Sequence, residues 1–109
     1  MSQWQVEYLA AAAQDFLSLD NSQQLQVAKA IEKVRQNPWP VTEGGYGKPL
    51  RNKHGANLAG YLKIKLLKLG IRIVYKLMRE KDCMRIIVIS VRDDEKVYKL
   101  AQQRIHKLK

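Results

Sequence analysis

The sequence has little cysteine, few aromatic residues and no long apolar run. Its one cysteine, Cys83, excludes an internal disulfide framework and a cysteine-rich zinc site. No apolar run approaches the roughly 20 residues that cross a bilayer. The first five residues lack the basic region and apolar core of a signal peptide. We therefore expect a cytoplasmic protein with no membrane association.

The overall composition is typical of a globular domain. The chain has 109 residues, of which 46% are hydrophobic and 28% are charged. A disordered chain would contain less isoleucine, leucine and valine. This length suits one compact unit, so we expect a single domain over residues 1–109.

The charge is large and unevenly distributed along the chain. Twenty lysines and arginines against ten acidic residues give a formal charge of +10. Residues 1–44 carry three basic and five acidic residues, whereas residues 45–109 carry seventeen basic and five acidic ones. Such a polarised domain favours a polyanionic partner, nucleic acid first, because lysine and arginine release counterions from phosphates. An acidic protein and a plain solvated surface remain alternatives.

Apolar periodicity predicts an α+β fold with the element order β-α-α-β-β-β-α. The N-terminal helices form a hairpin on a small curved, mainly antiparallel sheet, and a helix ends the chain. Asp20 and the two residues after it supply the cap of the second helix. The predicted strands are Trp4–Tyr8, Leu58–Leu66, Ile71–Met78 and Met84–Val91, and the predicted helices are Ala10–Leu19, Ser22–Gln36 and one beginning at Asp93–Glu95.

Between the second helix and the next strand, the periodicity disappears. Prolines and glycines interrupt residues 37–57, which we expect to form a long functional loop. The loop carries basic residues at Lys48, Arg51 and Lys53.

Five polar residues in the basic half form a candidate reaction site. Lys63 and Lys65 alternate on one strand, so both side chains leave the same face. Arg72 follows a tight turn at Gly70, where a positive φ suits glycine. Nearby cations help a lysine to lose its proton and act as a base, and an arginine can clamp a phosphate. The remaining two members are Arg92, after the third strand of the meander, and Tyr98, early in the last helix.

The same segments resemble a known family. Tyr61–Leu66, Gly70–Tyr75, Val88–Arg92 and Glu95–Tyr98 are similar to the RelE branch of the RelE/ParE toxins. These proteins are the toxins of bacterial type II toxin–antitoxin pairs. The resemblance covers about residues 60–105, while the first 45 residues match the family only in predicted element order.

The resemblance implies a ribosome-dependent endoribonuclease that cuts mRNA in the A site without a metal or cofactor. In that reaction the ribose 2′-OH attacks phosphorus and leaves a 2′,3′-cyclic phosphate. By matching positions, Lys65 is the general base with Lys63 assisting, and Arg72 stabilises the phosphorane. Arg92 does the same or protonates the leaving oxygen, and Tyr98 stacks on or orients an mRNA base.

The resemblance also implies partners: an acidic antitoxin, the 70S ribosome with mRNA, and operator DNA through the antitoxin. Further RNA contacts are expected at Lys48, Arg51, Lys53 and Lys76. Two alternatives remain, a non-catalytic ParE-like toxin that inhibits DNA gyrase and a basic RNA-binding module. The lysine, arginine and tyrosine constellation favours the nuclease over both.

Three other reactive residues are assigned ordinary roles. His106 in the last helical turn and His54 in the loop are expected at the surface. Cys83 is expected to be a small buried hydrophobic residue, because no histidine is near it in sequence.

Overall fold

Seven strands and three helices follow one another in a computed structural model that describes residues 4–50, 52–53, 56–91 and 94–107. Short 3₁₀ turns also lie at Val41–Glu43 and Arg79–Lys81. The strands and helices are β1 (Gln5–Tyr8), α1 (Ala10–Leu17), α2 (Asn21–Val34), β2 (Lys48–Pro49), β3 (Asn52–Lys53), β4 (Ala56–Asn57), β5 (Tyr61–Leu66), β6 (Ile71–Met78), β7 (Cys83–Ser90) and α3 (Asp94–His106).

The main sheet has five strands in the order β1-β7-β6-β5-β2. Strands β5, β6 and β7 form the antiparallel meander that the sequence predicted, and β1 joins β7 in parallel. The predicted α+β class and the helical hairpin are thus confirmed.

The segment predicted as a long loop contains more structure than expected. Strand β2 pairs with β5 at the edge of the main sheet, and β3 and β4 form a separate two-stranded hairpin. Each of these strands has two residues, which is too short for alternation to show in a sequence. The loop prediction was therefore wrong for these residues.

The helical hairpin begins and turns largely as predicted. The Asp20 carboxylate accepts a hydrogen bond from the Gln23 backbone at 2.7 Å, and the Gln23 side chain accepts one from the Asp20 backbone at 3.1 Å. This reciprocal cap starts α2. In α1, Ala12 is buried, whereas Leu17 at the last residue of the helix is 66% exposed.

The sheet separates two hydrophobic clusters. The helical hairpin covers one face with Ala12, Val27, Ile31 and Val34, and α3 covers the other with Val97, Tyr98 and Ala101. On the sheet, the side facing the hairpin includes Leu62, Ile71, Ile73, Tyr75 and Leu77, and the side facing α3 includes Val74, Ile87 and Val88.

Side-chain alternation on β5 and β6 follows the prediction. Because Leu62 and Ile64 pack with the hairpin cluster, Lys63 and Lys65 lie on the α3 side. Strand β7 departs from regular alternation at a bulge, where Val88 pairs with Val74 and Ile86 with Tyr75. Bulges of this kind redirect side chains, and both residues after Ile86 here face α3.

One ion pair connects both helical layers to the sheet. The Arg104 guanidinium donates to both carboxylate oxygens of Asp15, at 2.6 and 3.0 Å. Arg104 also donates to the Ile87 carbonyl at 2.9 Å, and Asp15 accepts from the Ile89 amide at 3.0 Å. The pair therefore holds α3 and α1 against β7.

Replacing Arg104 with alanine is expected to lower the free energy of unfolding by about 2 kcal/mol, because the mostly buried Asp15 carboxylate loses its charged partner. Guanidinium unfolding followed by circular dichroism measures this change. The matched control is Glu95→Gln, which removes the exposed pair with Lys99 and should cost roughly 0–0.5 kcal/mol. Equal losses in the two variants would show that the buried pair has no special stabilising role.

Candidate active site

A row of cations crosses three strands on the α3 face of the sheet. Lys65 on β5 is directly opposite Arg72 on β6, and Lys63 on β5 is directly opposite Lys48 on β2. Directly opposite residues of antiparallel strands share a face, with Cβ atoms about 4.5–5.5 Å apart. The strand register therefore brings four positively charged side chains together. The sequence had predicted only that Lys63 and Lys65 share a face and that Arg72 lies near them.

Helix α3 contributes a tyrosine to this row. The Lys63 Nζ donates a hydrogen bond to the Tyr98 hydroxyl at 2.6 Å and lies 5.3 Å from the ring centre. The ammonium is thus at the hydroxyl end of the ring and not over its face. This contact fixes the position of the Lys63 charge relative to α3.

The ring of Tyr98 is itself part of the core. It is 1% exposed and belongs to the cluster that contains Leu58, Val74 and Val97. A ring enclosed in this way has no face on which an RNA base could stack. The stacking role that the family resemblance implied is therefore not supported by this geometry, which favours positioning of Lys63.

Lys65 and Arg72 have different surroundings. Lys65 is exposed, and it takes part in none of the ion pairs that the described residues form with one another. Arg72 is half-buried, and its guanidinium donates to the Gly70 carbonyl at 3.4 Å. Gly70 has φ of +65°, as the turn prediction required. Lys65 therefore presents an exposed amine beside a half-buried arginine.

The sequence did not predict the positions of two residues beside the predicted site residues. Lys48 was predicted as an RNA contact in a loop, but β2 places it opposite Lys63. Ser90 lies opposite Arg72 on the other side, on β7. Neither placement has a sequence signal, because both depend on the strand register.

The remaining predicted site residues are placed as follows. Lys76 lies near the other end of β6, with its Nζ 5.5 Å from the Tyr61 ring centre. Lys53 belongs to β3, and His106 is exposed at the end of α3. Arg51, His54 and Arg92 lie outside the described residues. The structure thus brings Lys48, Lys63, Lys65, Arg72 and Tyr98 together and leaves Lys76 apart.

A buried tyrosine on the opposite face supports the start of β2. The Tyr75 hydroxyl donates to the Pro38 carbonyl at 2.8 Å, and burial raises the pKa of this phenol well above its usual range. A Cβ at Gly47 would clash with the same hydroxyl. Because Gly47 directly precedes Lys48, the close approach of the Gly47 backbone to Tyr75 determines the position of Lys48, the first cation of the row.

In the part of the chain that the structure describes, no three histidine, cysteine or carboxylate side chains are grouped so that they could hold a metal ion. Among the same residues, no helix has the length and apolar character needed to cross a membrane.

Comparison with known proteins places the chain beside bacterial toxins. No family model matches it. The chain is 29% identical over 105 residues to an Escherichia coli RelE-like toxin protein, which covers 94% of this chain and 97% of that protein. The similarity therefore includes the N-terminal residues, which the sequence motifs did not reach.

Solved structures show the same fold. The isolated E. coli RelE toxin superimposes with a TM-score of 0.68 at 24% identity, covering 94% of this chain and 98% of that one. A chain of the RelBE2 toxin–antitoxin complex of Mycobacterium tuberculosis gives a TM-score of 0.67 at 23% identity, covering 86% of this chain and 97% of that one. The chain has the RelE fold, and its resemblance to RelE-type toxins is confirmed.

The only cysteine should be unreactive in the folded protein. Cys83 is 4% exposed, and burial together with the Glu7 carboxylate raises the pKa of its thiol. Since the thiolate is the reactive form, a raised pKa lowers reactivity at any pH below it. At pH 8.5 we expect alkylation by iodoacetamide to be at least about 10-fold slower than in the guanidinium-unfolded chain. Equal rates would show that the thiol is accessible and ionised.

Proposed function

We propose that this protein is the toxin of a type II toxin–antitoxin pair and cleaves mRNA in the ribosomal A site. The observation that carries the proposal is the row of Lys63, Lys65 and Arg72 on one sheet face, with Tyr98 holding Lys63. These residues occupy the positions that match the RelE motif, on a chain with the RelE fold. We propose a cytoplasmic location, because ribosomes that carry mRNA are found in the cytoplasm.

The reaction is an intramolecular transfer at phosphorus. Lys65 takes the proton from the ribose 2′-OH, and the 2′ oxygen forms a bond to phosphorus. The bond from phosphorus to the 5′ oxygen then breaks, and that oxygen receives a proton. The family resemblance assigns this last proton, or charge stabilisation, to Arg92. The products are a 2′,3′-cyclic phosphate and a 5′-OH.

The other cations act on the charge that develops in the transition state. An arginine or lysine placed where that charge appears stabilises it without further rearrangement. Arg72, beside Lys65 across the strand pair, is suited to the phosphorane oxygens. Lys63 is held by Tyr98, and so supplies a second charge at a fixed position. Lys48 continues the row along a path that an RNA backbone can follow.

We further propose that an acidic antitoxin neutralises this face, and that operator DNA is bound through the antitoxin. The M. tuberculosis relative was solved as a toxin–antitoxin complex. The formal charge of +10 and the basic row provide an electrostatic reason for an acidic partner in this chain too. On the ribosome the same charge favours association with RNA.

Replacing Lys65 with alanine should lower mRNA cleavage on programmed ribosomes by about 10²–10⁴-fold, because a positioned general base contributes on that scale. Lys68→Ala is the matched control, since Lys68 is an exposed lysine three residues away. Cleavage is measured by mapping RNA ends and testing for the cyclic phosphate. Free mRNA should stay intact.

Two outcomes would contradict the proposal. Equal cleavage by folded Lys65→Ala and wild-type protein would exclude Lys65 as the base. Intact mRNA with the wild-type protein would exclude the nuclease, and inhibition of DNA gyrase in a supercoiling assay would then support the ParE-like alternative.

Replacing Tyr98 with phenylalanine keeps the buried ring and removes the hydroxyl that holds Lys63. We expect cleavage to fall about 10-fold, because a misplaced catalytic charge loses much of its effect. If Tyr98 acts through Lys63, the same change should have no further effect in a Lys63→Ala background. Additive losses in the double variant would show an independent role for the hydroxyl.

A further inference from the structure

A groove lies where the row of cations reaches the end of β5. A cavity of about 490 Å³ is bounded there by α2 on one side and by the turn after β5 on the other. Lys65 lines this cavity and also lies directly opposite Arg72 of β6. The groove is therefore continuous with the candidate active site, and Lys65 belongs to both.

One wall of the groove is polar and belongs to α2. Ser22 and Gln26 are one helical turn apart, so their side chains are neighbours on the helix surface. Both residues are exposed, and neither side chain forms a hydrogen bond with another described residue. The amide of Gln26 is both a donor and an acceptor. This wall therefore offers a ligand hydrogen-bonding groups that the fold itself does not use.

The other wall is apolar and belongs to the turn after β5. Within this turn, the Leu69 amide donates to the Leu66 carbonyl at 3.2 Å, and the Gly70 amide donates to the Leu67 carbonyl at 3.4 Å. Leu66 and Leu69 pack partly against the hairpin cluster, whereas Leu67 is 79% exposed. Arg72 also donates to the Gly70 carbonyl, so the turn is tied directly to the candidate active site. The exposed leucine provides an apolar surface opposite the polar wall.

A nucleobase matches this combination of walls. Its faces pack on apolar side chains, and its edge carries hydrogen-bond donors and acceptors. No carboxylate is among the described residues that line the groove, so an RNA strand meets no like charge there. An aliphatic side chain of a protein would fit the leucines but would make no use of Ser22 and Gln26. The polar wall therefore favours a base over a protein side chain.

The proposed reaction identifies which base is near enough to enter. Lys65 takes the proton of the ribose 2′-OH, so the C2′ atom of that nucleotide lies beside Lys65. The base is attached to C1′, the neighbouring carbon of the same ribose. This nucleotide is on the 5′ side of the bond that breaks, and its base is therefore the nearest one to the groove. Tyr98, which is enclosed in the core, cannot provide a stacking surface for it.

We propose that the groove between α2 and the turn after β5 is a subsite for the base on the 5′ side of the cleaved bond. Gln26 and Ser22 bond to the edge of the base, and Leu67 packs on its face. Gln26 is then a specificity-determining residue, because its amide distinguishes bases by their donors and acceptors. The base is uncharged, so the subsite does not use the ammonium of Lys68 at the same turn. The identity of the nucleotide rests on the proposed function, whereas binding of a base can be tested without cleavage.

The binding probes are the four nucleoside 3′-monophosphates, each of which has the base, the 2′-OH and the phosphate of that nucleotide. Each is titrated into the full chain, labelled with ¹⁵N and with ¹³C in the leucine methyl groups. The nucleotide that binds most tightly should shift the Gln26 side-chain amide and the Leu67 methyl signals with a common Kd. Inorganic phosphate, which has no base, should leave both unchanged. Gln26→Leu should weaken the binding of that nucleotide about 10-fold, whereas Gln103→Leu, at an exposed glutamine of α3, should not.

Base selection is tested on ribosomes programmed with four mRNAs that differ only in the nucleotide 5′ of the mapped cut. For the wild-type protein, kcat/KM should differ by at least about 10-fold between the best and the worst base. Gln26→Leu keeps the size of the side chain but removes its polar groups, so the four values should become nearly equal. Gln103→Leu should keep the wild-type differences. A ratio between bases is informative because a general loss of folded protein lowers all four values together.

Base differences that persist in Gln26→Leu would overturn the role of Gln26. Equal shifts with inorganic phosphate, or no shift with any nucleotide, would overturn the subsite even if mRNA is cleaved. So would N-acetyl-leucinamide that shifts the Leu67 methyl signals at lower concentration than every nucleotide, because the groove would then prefer a protein side chain. Conversely, base-dependent shifts at Gln26 and Leu67 without any mRNA cleavage would support the subsite and overturn the proposed reaction alone.

Discussion

The ion pair between Asp15 and Arg104 is the contact on which the rest of the structure depends. Asp15 is in α1 and Arg104 in α3, and each also bonds to the backbone of β7 beyond the end of β1. Beyond the end of β1, the hydrogen bonds of Asp15 and Arg104 take the place of the backbone hydrogen bonds that β1 forms with β7. The two charges are mostly buried and paired with two parallel hydrogen bonds, which is the geometry in which such a pair stabilises. The position of α3, and with it Tyr98, follows from this contact.

A second constraint is the alternation of β5, which serves the core and the candidate site at once. Leu62 and Ile64 must face the helical hairpin, so Lys63 and Lys65 must face α3. A register shift by one residue would bury the lysines and expose the leucines. The cations are therefore held in place by the burial of their apolar neighbours, and no ionic contact is needed to align them along the strand.

These constraints explain which features could be predicted from the sequence. The meander, the cap at Asp20, the turn at Gly70 and the shared face of Lys63 and Lys65 come from local patterns of two to four residues. Strand β2 and the hairpin beside it leave no such pattern, because they have two residues per strand. Contacts between distant parts of the chain, such as that of Asp15 with Arg104, also have no local signal. The hydrogen bond between Lys63 and Tyr98 is a second such contact.

The two lysines of β5 match the same family motif, yet the fold gives them unlike surroundings. Strand β2 pairs with β5 at Lys63 but not at Lys65, so Lys63 has strand neighbours on both sides and a hydrogen bond to Tyr98, whereas Lys65 has a strand neighbour only on β6. A charge that must stabilise a transition state benefits from being fixed, because no reorganisation is then needed. A base must instead reach the 2′-OH and afterwards release its proton, which requires access. In the proposed reaction, this difference favours Lys63 as the fixed charge and Lys65 as the proton acceptor.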